Sequence, residues 1–159
     1  MNTFAKVFVL SAVMLGLATP GLTAEGVSIL GTWNCIDTRN GGEMRANVQI
    51  RKNRIFNARM YISMALDELH ISAIADYKSR WRLDGNNWYE TPINVRILKF
   101  EVNGIDQRGS TPAHALRDDL MRPQSGPDEI RLTSLTTLEF LHDGEVTVCQ
   151  RDSDTSKNS

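Results

Sequence analysis

The chain has 159 residues, of which 41% are hydrophobic and 23% are charged, with 18 basic and 19 acidic side chains. This length suits one ordinary domain, and the hydrophobic fraction is too high for a disordered chain. Nucleic-acid-binding proteins usually carry a strong basic excess, so the near-neutral charge predicts no nucleic-acid partner. The 11 glycines and 5 prolines exclude collagen-like and low-complexity chains.

Residues 1–24 have the pattern of a cleaved signal peptide. Lys6 precedes an apolar run over residues 7–17, which is too short to span a membrane but has the length of a signal core. Ala24 provides a small residue before the cut, and cleavage after Gly21 is the alternative. We therefore predict a periplasmic or secreted protein whose mature chain has no transmembrane segment.

The chain contains two cysteines, Cys35 and Cys149, and both lie in a single domain predicted over residues 25–151. In an exported protein an even number of cysteines indicates disulfides, and two cysteines allow one pairing. The bridge would join the first strand of the domain to the last and stabilise it by about 4–5 kcal/mol in the chain-entropy model. The polar segment 152–159 is predicted to be a disordered tail.

Alternating apolar and polar residues predict long strands through most of the domain. Such strands belong to antiparallel sheets with one face packed against a core. Because an all-β chain must protect its sheet edges, we predict an antiparallel up-and-down β-barrel of about eight strands, with a β-sandwich as the alternative. Three long segments have an apolar residue at nearly every second position: residues 44–50, 56–66 and 69–83.

Two later strands carry a less regular pattern. In the fifth strand the apolar phase shifts by one residue after Ile97, which indicates a β-bulge. In the last strand Val146 and Val148 have the character of inward-facing residues. This assignment would turn Cys149 and Arg151 outward, or place them at a bulged rim.

A short helix is predicted in the long connection over residues 104–127. Thr111 suits the N-cap and Pro112 the first helical position. The helix is expected to cover one end of the barrel as a plug or crossover, and the alternative is a lid over a ligand mouth. Its apolar residues follow at helical spacing and are Ala113, Leu116 and Leu120.

The first strand contains the tripeptide Gly31-Thr32-Trp33, which resembles the Gly-x-Trp signature of lipocalins and the wider calycin barrels. The resemblance implies an antiparallel barrel that holds a small apolar molecule, with an arginine near the last strand packed across the tryptophan. If the two cysteines face each other on antiparallel strands, the residue facing Trp33 is Arg151. Both arguments therefore predict a structural Trp33–Arg151 pair, in which a cation lies over the indole.

No residue pattern indicates an enzyme, a metal site or a cofactor. The histidines lack the spacing of metal ligands, and surface positions account for them. The nucleophile motif Gly-x-Ser-x-Gly is absent, and the neighbouring carboxylates of Asp118 and Asp119 are expected to diverge into solvent. We therefore expect a protein without catalytic activity. The three histidines are His70, His114 and His142.

The expected inward faces favour binding of a small molecule. Methionine adapts to ligands of varied shape, and small residues on neighbouring strands leave room. We predict a small apolar or amphipathic ligand inside the barrel, and the alternative is a core filled by the same side chains. The candidate ligand-binding residues are Phe56, Met60, Met64, Tyr77 and Trp81.

The outward faces of strands two to four carry mostly basic side chains, although the chain as a whole is near neutral. Such a face suits an envelope protein or an anionic glycan, so the second hypothesis is an inhibitor, immunity or envelope-accessory protein. The alternative is an ordinary solvated strand face. The candidate basic-face residues are Arg59, Lys78, Arg80 and Arg82.

Overall fold

The computed structural model describes residues 28–39 and 42–153; the predicted signal peptide, and the predicted tail from residue 154 onward, lie outside the described residues. Within the described part the chain forms nine strands and one helix. The strands are β1 (Gly31–Arg39), β2 (Gly42–Ile50), β3 (Ile55–Leu66), β4 (Leu69–Asp84), β5 (Asn87–Val102), β6 (Ile105–Asp106), β7 (Asp128–Leu132), β8 (Thr137–His142) and β9 (Glu145–Arg151), with α1 (Thr111–Leu120) between β6 and β7.

Eight of these strands form a closed antiparallel barrel. The order around it is β1-β2-β3-β4-β5-β7-β8-β9, and β9 pairs with β1 to complete the ring. The remaining strand, β6, adds two residues to one end of β5. Because neighbours in the chain are neighbours in the barrel, the up-and-down topology predicted from the alternation is confirmed, and the β-sandwich alternative is wrong.

The longest strand pair, β4 with β5, is interrupted twice. The pairing register shifts opposite Ile74 and Ala75, which leaves Leu98 as an extra residue in β5. This is the bulge predicted from the shift in apolar phase. A second shift, opposite Lys78 and Ser79, makes Ile93 the extra residue and has no counterpart in the sequence prediction. The two bulges bend β5 along the wall of the barrel.

The residues of β9 that face the barrel interior are not the predicted ones. Cys149 is fully buried, whereas Val146 and Val148 are 44% and 38% exposed on the outer face. The disulfide explains this orientation. Cys35 lies two residues after the fully buried Trp33 and therefore faces inward as well, and Cys149 must face inward to bond to it. The predicted disulfide is confirmed, and the predicted facing of the two valines is wrong.

The helix α1 covers the end of the barrel at which β1 ends. Its Ala113 and Leu116 pack with Phe100 and neighbouring residues of β4 and β5, and its Leu120 packs on the main core. The predicted short helix is confirmed, but its N-cap is Ser110, whose hydroxyl accepts a hydrogen bond from the backbone N–H of Ala113. Among the described residues, no helix has the length and apolar character needed to cross a membrane.

Candidate functional site

The barrel has one end closed by side chains, which we call the closed end: Ile29, Trp33 and Arg151. The guanidinium carbon of Arg151 lies 4.2 Å from the centroid of the Trp33 ring. The indole nitrogen of Trp33 donates a hydrogen bond of 2.9 Å to the carbonyl of Ile29. The predicted Trp33–Arg151 pair is therefore confirmed, and the two residues also face each other in the β1–β9 register.

The arginine also binds three backbone carbonyls. Its nitrogens donate to Leu30 at 2.9 Å, to Leu135 at 3.1 Å and to Ser28. Burial lowers the pKa of Arg151, but these acceptors and the indole compensate for lost solvation of the cation. The side chain of Arg151 on β9 thus joins the first residues described to the connection between β7 and β8.

The contact with Arg151 explains why the first residue of the Gly-x-Trp tripeptide is a glycine. Gly31 has φ +135°, a region that other residues rarely adopt, and a Cβ there would lie 2.8 Å from Nη1 of Arg151. A side chain at this position would compete with the guanidinium for space. The tripeptide and Arg151 therefore form one structural unit.

The interior nearer the opposite end contains a cavity of about 320 Å³, which we call the barrel cavity. Inward-facing side chains of the strands form its wall, and residues from the C-terminal end of α1 and the segment after it form its cover. Its wall is mainly apolar and aromatic, with a few polar groups, as is usual for small-molecule sites. The lining includes Phe56, Met60, Tyr77, Glu90, Asp128 and Phe140.

The structure brings three of the five candidate ligand-binding residues together in this cavity, namely Phe56, Met60 and Tyr77. Met64 lies in an adjacent depression of about 420 Å³, which shares Met44 and Asp119 with the barrel cavity. Trp81 is not among the lining residues. Its ring instead stacks on Trp88, with centroids 4.9 Å apart.

Glu90 contributes the first carboxylate of the cavity wall. It accepts hydrogen bonds from the hydroxyl of Ser79 at 2.7 Å and from the indole nitrogen of Trp88 at 2.9 Å. Burial, and then the nearby Glu90, raise the pKa of the Tyr77 hydroxyl far above its ordinary value. The cavity therefore has a fixed polar corner in which Tyr77 stays protonated.

Asp128 contributes the second carboxylate and is only 9% exposed. Its Oδ2 accepts a hydrogen bond of 3.0 Å from the amide of Gln124. Its Oδ1 lies 2.7 Å from Nδ1 of His142, yet this oxygen accepts no well-aligned hydrogen bond from the described residues. A hydrogen bond weakens steeply when the donor points away from the acceptor, so this close contact does not fully satisfy Oδ1.

This arrangement corrects the prediction that a surface position accounts for His142. The residue is only partly exposed and contacts the buried Asp128, because it continues the inward phase of Leu138 and Phe140 along β8. By contrast, Asp118 and Asp119 diverge as predicted. Asp118 pairs with Arg117, and Asp119 turns to the rim of the barrel cavity.

Sequence reasoning missed Glu90 and Asp128. The signal was an acidic residue in the apolar phase of a strand: Glu90 follows Trp88 by two positions, and Asp128 precedes Ile130 by two. An inward charge of this kind needs a partner or a function. The inward-facing positions could not be recognised from the sequence, because β7 is short and β5 is irregular.

The basic-face residues, Arg59, Lys78, Arg80 and Arg82, are all exposed on the outside of the barrel. Two of them have partners on the barrel surface. Arg59 forms a bidentate pair with Asp76, and Arg82 lies over the ring of Tyr89 at 3.6 Å. Lys78 borders a shallow outer depression of about 500 Å³.

In the part of the chain that the structure describes, no group of three or more His, Cys, Asp or Glu side chains is arranged to hold a metal ion. No protein-family model matches the chain, and no curated protein matches it.

Proposed function

We propose that the protein is an exported, disulfide-bonded, lipocalin-like barrel that binds a small amphipathic ligand in the barrel cavity and catalyses no reaction. The observation that carries this proposal is a cavity of about 320 Å³ whose wall combines Phe56, Met60 and Phe140 with polar Tyr77 and Glu90. A concave, mainly apolar site with a few fixed polar groups is the usual form of a small-molecule site.

Two further observations support export and the lipocalin-like assignment. The Cys35–Cys149 disulfide is typical of oxidising compartments, in agreement with the predicted signal peptide. The contact between Trp33 and Arg151 is the one that the family resemblance implies.

Native mass spectrometry of the protein purified from the periplasm tests ligand binding directly. We expect an additional mass that dissociates on activation, and a polypeptide mass lower by two hydrogens than that of the reduced chain, in agreement with the disulfide. Ala58→Phe should abolish the additional mass, because Ala58 lines the cavity and a phenyl ring would fill it. A bound mass retained at full occupancy in this variant would contradict the proposal.

The matched control is Ala65→Phe, which adds the same ring to the same strand at an exposed position. It should leave the bound mass unchanged. If both variants lose the ligand equally, the loss comes from disturbed folding of β3, and the cavity is not the cause.

A second candidate function uses the basic face to bind an envelope protein or an anionic glycan. The outer depression favours it, because amide side chains of three strands line it beside Arg59 and Lys78. Amides and cations together suit an oxygen-rich anionic surface. The amides belong to Asn47, Gln49, Asn57 and Asn94.

Retention on an immobilised anionic polysaccharide at low salt tests this candidate. We expect the double variant Lys78→Ala/Arg80→Ala to elute at clearly lower salt than the unmodified protein. The control, Arg108→Ala/Arg131→Ala, removes the same charge from exposed arginines that pair with Asp106 and Glu129. Equal elution of the two double variants would mean that net charge alone drives retention.

A further inference from the structure

The charges around the barrel cavity are unequal. Three acidic residues, Glu90, Asp119 and Asp128, line it together with one arginine, Arg122. Asp119 and Arg122 pair with each other at 3.2 Å, so this arginine compensates for one acid at the rim. Within the described residues, neither Glu90 nor Asp128 forms an ion pair with a lysine or an arginine.

The deeper of these charges is incompletely paired. Asp128 lines the cavity and is nine-tenths buried, and its fully buried Oδ1 accepts no aligned hydrogen bond from the described residues. His142, when protonated, can neutralise at most this one carboxylate. A buried carboxylate without a cationic partner costs free energy, and a cationic ligand beside it lowers that cost.

Aromatic rings surround the same space. Phe56, Tyr77 and Phe140 all line the cavity, and the Phe56 and Tyr77 rings lie edge to face with centroids 6.1 Å apart. The faces of aromatic rings attract cations, most strongly where water is excluded. Carboxylates and aromatic rings around one cavity are the two protein components that together recognise an organic ammonium ion.

We propose that the ligand is a small organic cation, an alkylammonium with an apolar chain, whose charged group lies between Glu90 and Asp128 and whose chain lies against Met60 and the aromatic rings. This proposal rests on the proposed function and specifies the chemical class of its ligand. A cavity of about 320 Å³ suits a single short chain.

The other ligand classes fit the same lining less well. A carboxylate ligand would place a third negative charge beside two carboxylates, which is repulsive in a site of low dielectric constant. A neutral, wholly apolar ligand would bury the charges of Glu90 and Asp128 further without compensating for either. A cationic head compensates for the charge of both acids.

Calorimetric titration of the disulfide-bonded protein with octylammonium, octanol and octanoate at neutral pH tests this inference. The three probes share one chain length and differ in the charge of the head group. We expect octylammonium to bind at least about tenfold more tightly than octanol, and octanoate to show no binding. Equal affinities for octylammonium and octanol would overturn the cation preference while leaving the proposed function in place.

Isosteric variants assign the preference to the two carboxylates. Glu90→Gln and Asp128→Asn should each lower the affinity for octylammonium by about tenfold and change that for octanol little. Asp118→Asn is the matched control, since it neutralises an exposed acid that pairs with Arg117 outside the cavity. An unchanged preference in both cavity variants would overturn the proposed position of the charge.

A third variant tests the aromatic wall and remains informative if a neutralised cavity fails to fold. Phe140→Leu keeps an apolar side chain in the wall but removes the ring face, so it should reduce the affinity for octylammonium more than that for octanol. A larger loss for octanol would contradict the role of the ring. If none of the three probes binds, and the protein carries no mass in the native spectrum, both proposals fail.

Discussion

The two ends of the barrel handle buried polar groups in different ways. At the closed end, three nitrogens of Arg151 donate to three backbone carbonyls, and its planar group lies on Trp33. In the barrel cavity, Oδ1 of Asp128 receives no aligned donor from the described residues, and Glu90 borders open space. The closed end is internally complete, whereas the two carboxylates of the cavity have no lysine or arginine partner among the described residues.

This difference separates stability from recognition. Satisfied groups such as those around Arg151 gain nothing from a ligand and stabilise the fold. Carboxylates held beside a cavity cost stability unless something binds them. Substitutions at the closed end should therefore lower the free energy of unfolding and leave ligand preference unchanged. Substitutions of the cavity carboxylates should change ligand preference without lowering the free energy of unfolding.

The largest effect on stability is expected at the disulfide between the two regions. Replacing both Cys35 and Cys149 with alanine should lower the free energy of unfolding by about 4 kcal/mol, because the bridge restrains a long unfolded loop. The cysteines are 114 residues apart in sequence. Denaturant unfolding measures the loss, and the unmodified protein in reductant should show a similar one. An unchanged transition midpoint in both experiments would contradict the prediction.

Removing the cation at the closed end comes next. Arg151→Met should cost about 3 kcal/mol, because it leaves three carbonyls without their donor and removes the charge from the Trp33 ring. Arg82→Met is a matched control, since this arginine also lies over an aromatic ring, at 3.6 Å from the Tyr89 centroid, but at an exposed position. Its loss should stay under about 1 kcal/mol. Equal losses in urea unfolding would show that burial of the contact is unimportant.

A smaller effect is expected at the neighbouring glycine. Gly31→Ala should lower the free energy of unfolding by about 2 kcal/mol, because it adds backbone strain and a contact with Nη1 of Arg151. In the Arg151→Met background the same substitution should cost less, since the guanidinium is gone. A double-mutant cycle measures this coupling, and strictly additive losses would mean that backbone strain alone is responsible.

The smallest effect concerns the cavity and appears only in alkali. The raised pKa of Tyr77 means that the native state keeps a proton that the unfolded chain, with an ordinary value of 10.0, releases as the pH rises. Stability from this group is complete below that value and decreases above it. The free energy of unfolding of the unmodified protein, relative to that of Tyr77→Phe, should fall by about 1 kcal/mol between about pH 9 and about pH 11. A constant difference between the two proteins in urea unfolding would contradict the assignment.

Much of the closed end could be predicted from the sequence because local rules and one covalent constraint coincide there. With only two cysteines, pairing Cys35 with Cys149 sets the β1–β9 register, and this register brings Trp33 opposite Arg151. The same register also fixes which side of β9 faces inward. The prediction for Val146 and Val148 relied on residue hydrophobicity alone, and it was wrong because the disulfide and Trp33 determine the phase.

The polar part of the cavity could not be predicted in the same way. Glu90 and Asp128 lie on β5 and β7, which the structure joins through only two residue pairs, Asn87–Glu129 and Trp88–Asp128. A local sequence pattern does not indicate so short a pairing between segments that are distant in the chain. The apolar wall was more accessible, since Phe56, Met60 and Tyr77 follow the regular alternation of β3 and β4.

The order of strands around the barrel has a consequence for how the chain reaches its native state. Most pairings join successive strands, so hairpins can form locally and early as the polypeptide becomes available. The pairing of β1 with β9 is different, since these strands lie at opposite ends of the domain. Until β9 arrives, β1 presents an unpaired edge that can pair with other chains. The arrival of the last strand therefore sets both when the barrel closes and how long the aggregation-prone edge of β1 stays exposed.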